Sequence, residues 1–134
     1  MVFIDTGAFL ARHLPGDAHH DSAVAGWKQL GKKHARCFTS NFVIDETLTL
    51  LARATGYRFA AERARNLYTS SSLTILRPDL EDELAAVQLF TRYADQRVSF
   101  TDCVSFVLMK RNRIRKAFSF DRHYEYAGFE LMTT

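Results

Sequence analysis

The fold is decided near the start of the chain, where residues 2–9 read VFIDTGAF. A short apolar run that ends in an acid is typical of a buried strand with the acid at its carboxyl end. The pattern returns at residues 117–121, which read AFSFD. Because parallel sheets bind their ligands at the carboxyl ends of the strands, Asp5 and Asp121 mark the edge where we expect the chemistry.

Length and composition exclude several classes of protein. The chain has 134 residues, 47% of them hydrophobic and 25% charged, which predicts one globular domain over residues 1–134. Aromatic residues make up 13%, which argues against disorder. No apolar run reaches the length of a membrane span and no signal peptide is visible, which favours the cytoplasm. Cys37 and Cys103 lie far apart without a CxxC or HExxH motif, so zinc is not expected.

Short apolar runs alternate with longer helical patterns. Strands are predicted at residues 2–4, 37–39, 73–76, 116–120 and 129–132, and helices at 17–33, 41–55, 59–70, 79–94 and 101–113. This alternation predicts an α/β fold with a parallel sheet. The helix at 41–55 is expected to end at Gly56, a typical C-cap residue.

The two strand-end acids have a structural alternative. Asp is among the best residues at helix N-caps, so Asp5 and Asp121 can each simply cap the helix that follows. The residues alone leave both interpretations open.

Asp102 stands near the start of a helix that is apolar almost all round between Cys103 and Met109. Such a helix is expected to be buried. A buried carboxylate needs a partner, and a metal ion is one solution. The alternative is structural, because Ser99 and Asp102 have the spacing of a variant capping box.

Glu46 is expected at the margin of the apolar face of helix 41–55, whereas Asp45 should face water. Glu46 can therefore lean toward the interior. The alternative is a surface acid paired with Arg53, since charged residues on helices mostly lie exposed.

The four acids are more informative together than singly. Carboxylates that converge on one edge repel each other and raise each other's pKa values, and a divalent cation removes that repulsion. A site of oxygen ligands suits Mg²⁺ or Mn²⁺ rather than zinc. The chemistry indicated is metal-assisted hydrolysis of a phosphodiester.

Four blocks of sequence carry a resemblance to a known family. They are VFIDTGAF at 2–9, Glu46 inside a helix, TDC at 101–103, and FSFDRHY at 118–124 with a following Gly-Phe at 128–129. In their order and spacing they resemble the PIN-domain nucleases, and within these the VapC-type ribonuclease toxins of type II toxin–antitoxin modules. The resemblance covers essentially the whole chain. It implies a three-layer α/β/α sandwich with a central, mainly parallel sheet.

The resemblance also implies the site and the partners. The catalytic and metal-binding residues it implies for Mg²⁺ or Mn²⁺ are Asp5, Glu46, Asp102 and Asp121. The supporting residues it implies are Thr6, Thr101 and Ser119. One departure is His123, which with its neighbours follows Asp121 where some relatives carry a further acid. The implied partners are an RNA substrate, a small antitoxin protein that would cover the acidic groove, and a second copy of the chain. An Arg inserted among the carboxylates would be a physically sensible plug, because a fixed cation could displace the metal.

A basic tract lies between the last predicted helix and strand. The candidate RNA-binding residues are Lys110, Arg111, Arg113, Arg115, Lys116 and, separately, His123. Nucleic acid requires positive charge, which the tract supplies although the net charge is only +3. The alternatives are a solvated helix end whose cations complement the helix dipole, and a His that belongs to the surface or the packing.

Other functions are weighed against this one. A dehalogenase-type phosphatase would need a second acid at residue 7, where Gly7 stands, and no phosphate loop or dinucleotide-binding motif is present. A catalytically silent module of the same fold that binds RNA or a partner stays open. So does a nuclease that processes RNA without an antitoxin.

Overall fold

The computed structural model describes residues 1–132 and contains one five-stranded, fully parallel sheet with helices around it. The strands are β1 (Val2–Ile4), β2 (Cys37–Ser40), β3 (Leu73–Leu76), β4 (Lys116–Phe118) and β5 (Glu130–Leu131), in the spatial order β3-β2-β1-β4-β5. The helices are α1 (Thr6–His13), α2 (His20–Lys32), α3 (Asn41–Thr55), α4 (Tyr57–Thr69), α5 (Leu80–Arg92), α6 (Phe100–Arg111) and α7 (His123–Tyr126).

Helices cover both faces of the sheet. Phe3 and Ile4 are neighbours on β1, so their side chains point to opposite faces, and both are fully buried. The central strand is therefore packed on both sides, as expected of a parallel sheet. Close approach on one side depends on Gly26 of α2, where an added Cβ would lie 2.5 Å from the ring of Phe118. The predicted α/β/α architecture is confirmed.

The sequence predicted all five strands and five of the seven helices. It gave no helix for α1 or α7, which are short and follow strand ends directly. The predicted strand 116–120 stops at Phe118, because the hydroxyl of Ser119 accepts a hydrogen bond from the backbone N–H of Asp121 and turns the chain. Gly56 ends α3 with a φ of 94°, as its C-cap position predicts.

The register of the central strands sets the position of the acids. β1 and β4 are parallel neighbours, with Ile4 opposite Phe118, and the N–H of Asp5 donates to the carbonyl of Phe118 at 3.1 Å. The chain segments after the two strands therefore leave the sheet at the same edge. Helices α1 and α3 also begin at this edge, directly after β1 and β2. Within residues 1–132, no helix has the length and apolar character needed to cross a membrane.

Candidate active site

Asp5 occupies the N-cap position of α1, but its side chain does not cap that helix. Its backbone carbonyl accepts the N–H of Ala8 at 3.2 Å, while its carboxylate accepts the hydroxyl of Ser119 at 2.7 Å. The residue is buried. The capping interpretation is therefore wrong for this side chain, which is turned toward the other acids instead.

Asp121 makes a local hydrogen bond and also lines the cleft with the other acids. Its Oδ1 accepts the backbone N–H of His123 at 2.9 Å in a local turn, but the N-cap of α7 is Arg122, so Asp121 is not the cap that the alternative predicted. The imidazole Nδ1 of His123 lies 2.8 Å from the same oxygen. The hydroxyl of Ser119 thus joins both strand-end acids, since it donates to Asp5 and accepts the N–H of Asp121 at 3.0 Å.

Asp102 lies in the first turn of α6 and is buried. Its N–H donates to the hydroxyl of Ser99 at 3.1 Å, which is one half of a capping box. In the described residues the carboxylate makes no reciprocal bond to the N–H of Ser99, so it is free to face the other acids. The buried face predicted from Cys103 to Met109 is confirmed, with only Val107 partly exposed.

Glu46 is half-buried on α3, whereas Asp45 is exposed. This confirms the predicted orientation of the two side chains. Among residues 1–132, Glu46 forms no ion pair with Arg53. Glu46 lines the same cleft as the other three acids.

The acids affect each other's protonation. Burial raises the pKa of Asp102 to about 8, and the charges of Asp5, Asp121 and Glu46 add to this effect. Burial likewise raises the pKa of Asp5 to about 6, although the hydrogen bond from Ser119 opposes the shift. Because charge on one member is felt by the others, the four carboxylates form one electrostatic unit.

The cleft that contains the acids has a volume of about 700 Å³. Its lining also includes Thr6, whose buried hydroxyl has no hydrogen-bond partner in the described part of the chain. Thr101 does not line it, and its carbonyl accepts the hydroxyl of Ser105 within α6. Of the three predicted supporting residues, Thr6 and Ser119 therefore lie in contact with the site and Thr101 supports α6.

The donor set fits a hard divalent cation. Carboxylate oxygens predominate, and one oxygen each of Asp102 and Asp121 and one nitrogen of His123 lie within 4.8 Å of one another. The raised pKa of Asp102 and the unpartnered hydroxyl of Thr6 leave both charge and hydrogen-bonding capacity unsatisfied. Oxygen-rich sites of this kind suit Mg²⁺ or Mn²⁺.

The sequence analysis did not assign several lining residues to the cleft, among them Arg97 and Phe120. Arg97 is exposed at its rim with a left-handed backbone, φ 56°, and Phe120 also lines the cleft, stacked on His19 with ring centroids 4.4 Å apart. Arg97 lies in a loop without periodicity, so no signal in the sequence could have found it. Phe120 was assigned to a strand that ends before it.

The predicted basic tract does not join the acids. It lies at the opposite edge of the sheet, where Lys116 is paired in register with Val2 at the strand starts. Arg111 forms ion pairs with Asp79 and Asp82, and Lys116 lies 3.8 Å from Glu130. Arg113 and Arg115 are exposed. RNA binding by this tract stays a prediction, and only His123 of the candidate RNA-binding residues lines the cleft.

Comparison with known proteins gives a consistent result. The sequence pattern of the PIN domain matches residues 2–130. The chain is 36% identical over 130 residues to the 23S rRNA-specific endonuclease VapC20 of Mycobacterium tuberculosis, which covers 96% of this chain and 95% of that protein. It is 32% identical over 126 residues to a VapC ribonuclease of Archaeoglobus fulgidus, covering 92% and 78%.

Solved structures agree with the fold. The crystal structure of VapC20 from Mycobacterium tuberculosis, described as a Sarcin-Ricin loop cleaving toxin, superposes with a TM-score of 0.88 at 31% identity and covers both chains fully. FitAcB from Neisseria gonorrhoeae superposes with a TM-score of 0.72 at 14% identity, covering 99% and 97% of the two chains, which supports the fold alone.

The raised pKa values predict how stability depends on pH without metal. The folded state keeps a proton on Asp5 up to a pKa of about 6 and on Asp102 up to a pKa of about 8, whereas the unfolded state releases both near pH 4. The free energy of unfolding in EDTA should therefore fall as pH rises through this range. At pH 8 the free energy of unfolding of Asp102→Asn should be about 1–3 kcal/mol higher than that of the wild type, since a pKa shift of one unit corresponds to about 1.4 kcal/mol. Urea unfolding followed by circular dichroism measures this.

Asp45→Asn is the matched control, because Asp45 is exposed and outside the cleft. It should follow the wild-type profile. Parallel profiles for Asp102→Asn and the wild type would show that Asp102 is not held under electrostatic strain.

Proposed function

The chain belongs to the PIN-domain family, and we propose that it is a metal-dependent endoribonuclease, the toxin of a toxin–antitoxin pair. The observation that carries the proposal is the convergence of Asp5, Glu46, Asp102 and Asp121 on one open cleft. The VapC proteins that it resembles along nearly its whole length are described as ribonucleases.

The chemistry is hydrolysis of a backbone phosphodiester. Asp5, Glu46, Asp102 and Asp121 would hold a Mg²⁺ or Mn²⁺ ion, which would supply Lewis acidity toward the phosphodiester and its attacking water. Ser119 orients the carboxylate of Asp5 and the backbone of Asp121, so the geometry of the acids is set before substrate binds. In-line attack of water on phosphorus leaves a 5′-phosphate and a 3′-hydroxyl.

We propose ribosomal RNA as the substrate, because the VapC20 relative is described as specific for 23S rRNA and as cleaving its Sarcin-Ricin loop. Arg97 at the rim is suited to contact a backbone phosphate, and Phe120 offers an aromatic surface for an unstacked base. A loop in which bases are splayed apart would reach both residues more readily than a continuous helix.

The acidic cleft also suggests how the activity is inhibited. We propose that a small antitoxin places an Arg among the carboxylates, since a fixed guanidinium neutralises them and forms strong charge-assisted hydrogen bonds. The silent binding module remains the alternative function, and it predicts RNA binding without cleavage.

A second copy of the chain is the partner proposed for α5. This helix exposes an apolar stripe, with exposed fractions of 69% for Leu80, 56% for Leu84, and 47% for Val87 and Phe90. Phe90 packs edge-on against Phe100 at 5.7 Å, so the stripe continues toward the first turn of α6. Exposed apolar patches rimmed by charge are typical of protein interfaces.

The first test of the function is Asp5→Asn. The change removes the charge at nearly constant volume and leaves an acceptor for Ser119, so cleavage should fall at least about 100-fold while the fold is retained. The measurement is primer extension on 23S rRNA in purified ribosomes, with Mg²⁺, with Mn²⁺ and with EDTA.

Asp45→Asn provides the control and should cleave like the wild type. Cleavage by Asp5→Asn at the wild-type rate would remove Asp5 from the site. RNA binding without cleavage under any condition would favour the silent module, once a co-purified inhibitor has been excluded by mass spectrometry.

Arg97→Gln tests the substrate contact. Loss of a phosphate contact should weaken binding about threefold to tenfold and reduce the salt dependence of binding, with a smaller effect on the maximal rate. Filter binding at several salt concentrations and steady-state cleavage measure both quantities. Arg58→Gln, an exposed change on α4, is the comparison; equal salt slopes for the two variants would contradict the contact.

Leu84→Glu tests the homodimer. A charge buried at the centre of the stripe should convert a dimer into a monomer in analytical ultracentrifugation, because an unpaired charge is costly in an apolar interface. Tyr68→Glu, which alters an exposed aromatic residue of α4 outside the stripe, should leave the dimer intact. A monomeric wild type would contradict the proposal.

A further inference from the structure

A second cavity lies away from the carboxylates. It has a volume of about 350 Å³ and is lined by residues of α1, α2, α3 and α4 together with Cys37 and Leu73, the first residues of β2 and β3. Asp5 and Asp121 come after the last residues of β1 and β4, whereas this cavity includes the first residues of β2 and β3, so it lies toward the opposite edge of the sheet. The volume falls in the range of about 300–1,000 Å³ that is usual for small-molecule sites.

The cavity contains two arginines and no acid. Arg12 stacks over the ring of Trp27 with its guanidinium carbon 4.3 Å from the ring centroid, and Arg63 lies 5.3 Å from the centroid of Phe59. Among residues 1–132 neither arginine forms an ion pair. Partial burial and the charge of Arg63 lower the pKa of Arg12. Two neighbouring cations without a counter-charge are costly to maintain.

Hydrogen-bonding capacity is also left over. The Nε atom of Arg63 and the hydroxyl of Thr47 are buried, and neither has a partner within the part of the chain that the structure describes. Thr47 as a whole is only 2% exposed and lines the cavity. Buried polar groups are nearly always paired, so two unpaired donors on one cavity indicate an acceptor that is supplied from outside.

His13 limits the charge of the site. Burial and the neighbouring Arg12 and Arg63 lower its pKa to about 4, so the imidazole is neutral near pH 7. The remainder of the wall is mixed: Phe9, Leu51 and Leu67 are among its apolar residues, and Asn66, Ser70 and Ser72 are polar. The cavity therefore offers two cations, Arg12 and Arg63, and the unpaired donor of Thr47 beside a partly apolar surface.

We propose that this cavity binds a small organic anion, a carboxylate carried on an apolar body. The guanidiniums of Arg12 and Arg63 hold the carboxylate, Thr47 donates to it, and the apolar side chains of the wall, such as Phe9, Leu51 and Leu67, cover the rest of the ligand. Planar guanidinium groups match the geometry of a carboxylate. The site is separate from the four acids, so it is a second binding function of the chain and does not depend on the nuclease proposal.

Trp27 makes the proposal measurable, because it lines the cavity and is the single tryptophan of the chain. Titration with octanoate should change its fluorescence with saturation at millimolar concentration or below. 1-Octanol, with the same apolar body and no charge, should bind at least about tenfold more weakly. Isothermal titration calorimetry provides a readout that does not depend on Trp27.

Arg63→Gln should weaken octanoate binding about tenfold or more and should leave the melting temperature equal to or above that of the wild type, because an unpaired cation is removed. Arg65→Gln, an exposed change on the same helix outside the cavity, should bind octanoate like the wild type. The proposal is overturned if octanoate does not saturate, if 1-octanol binds equally well, or if Arg63→Gln binds unchanged. Cleavage of RNA by Arg63→Gln is assayed in parallel and should be retained.

Discussion

The parallel pairing of β1 with β4 is the constraint on which the site depends. Ile4 lies opposite Phe118, and the chain leaves both strands at the same edge. The hydroxyl of Ser119 then joins the acids that follow, through 2.7 Å to the carboxylate of Asp5 and 3.0 Å to the N–H of Asp121. A slip of this register by one residue would turn the side chains to the wrong faces and separate the acids.

Helix N-termini, which carry partial positive charge, lie at the same edge as the negatively charged side chains. Helices α1 and α6 begin close to Asp5 and Asp102 respectively. This field offsets only part of the repulsion, because the pKa of Asp102 is still raised to about 8. The protein therefore holds its acids in an arrangement that a divalent cation stabilises. Without the cation, the repulsion among the acids lowers the free energy of unfolding.

The two edges of the sheet have opposite electrostatic character. Four carboxylates line the cleft at the edge where β1 and β4 end, whereas Arg12 and Arg63 share a cavity with the first residues of β2 and β3. A net charge of +3 conceals this separation. The basic tract at residues 110–116 lies at the edge away from the acids, and Arg111 is already paired with acids of α5 and its N-cap. A cluster of basic residues in the sequence therefore did not predict which cations lie near the acidic cleft.

The sequence by itself determined the order of the elements, because apolar runs and helical periodicity are local properties, and it predicted the four acids from strand ends and a buried helix. It also predicted that Glu46 rather than Asp45 turns inward. Only the tertiary structure decided that the carboxylate of Asp5 binds Ser119 instead of capping α1, and that Arg97 lies at the cleft. Both depend on contacts between segments distant in sequence, and local patterns carry no information on such contacts.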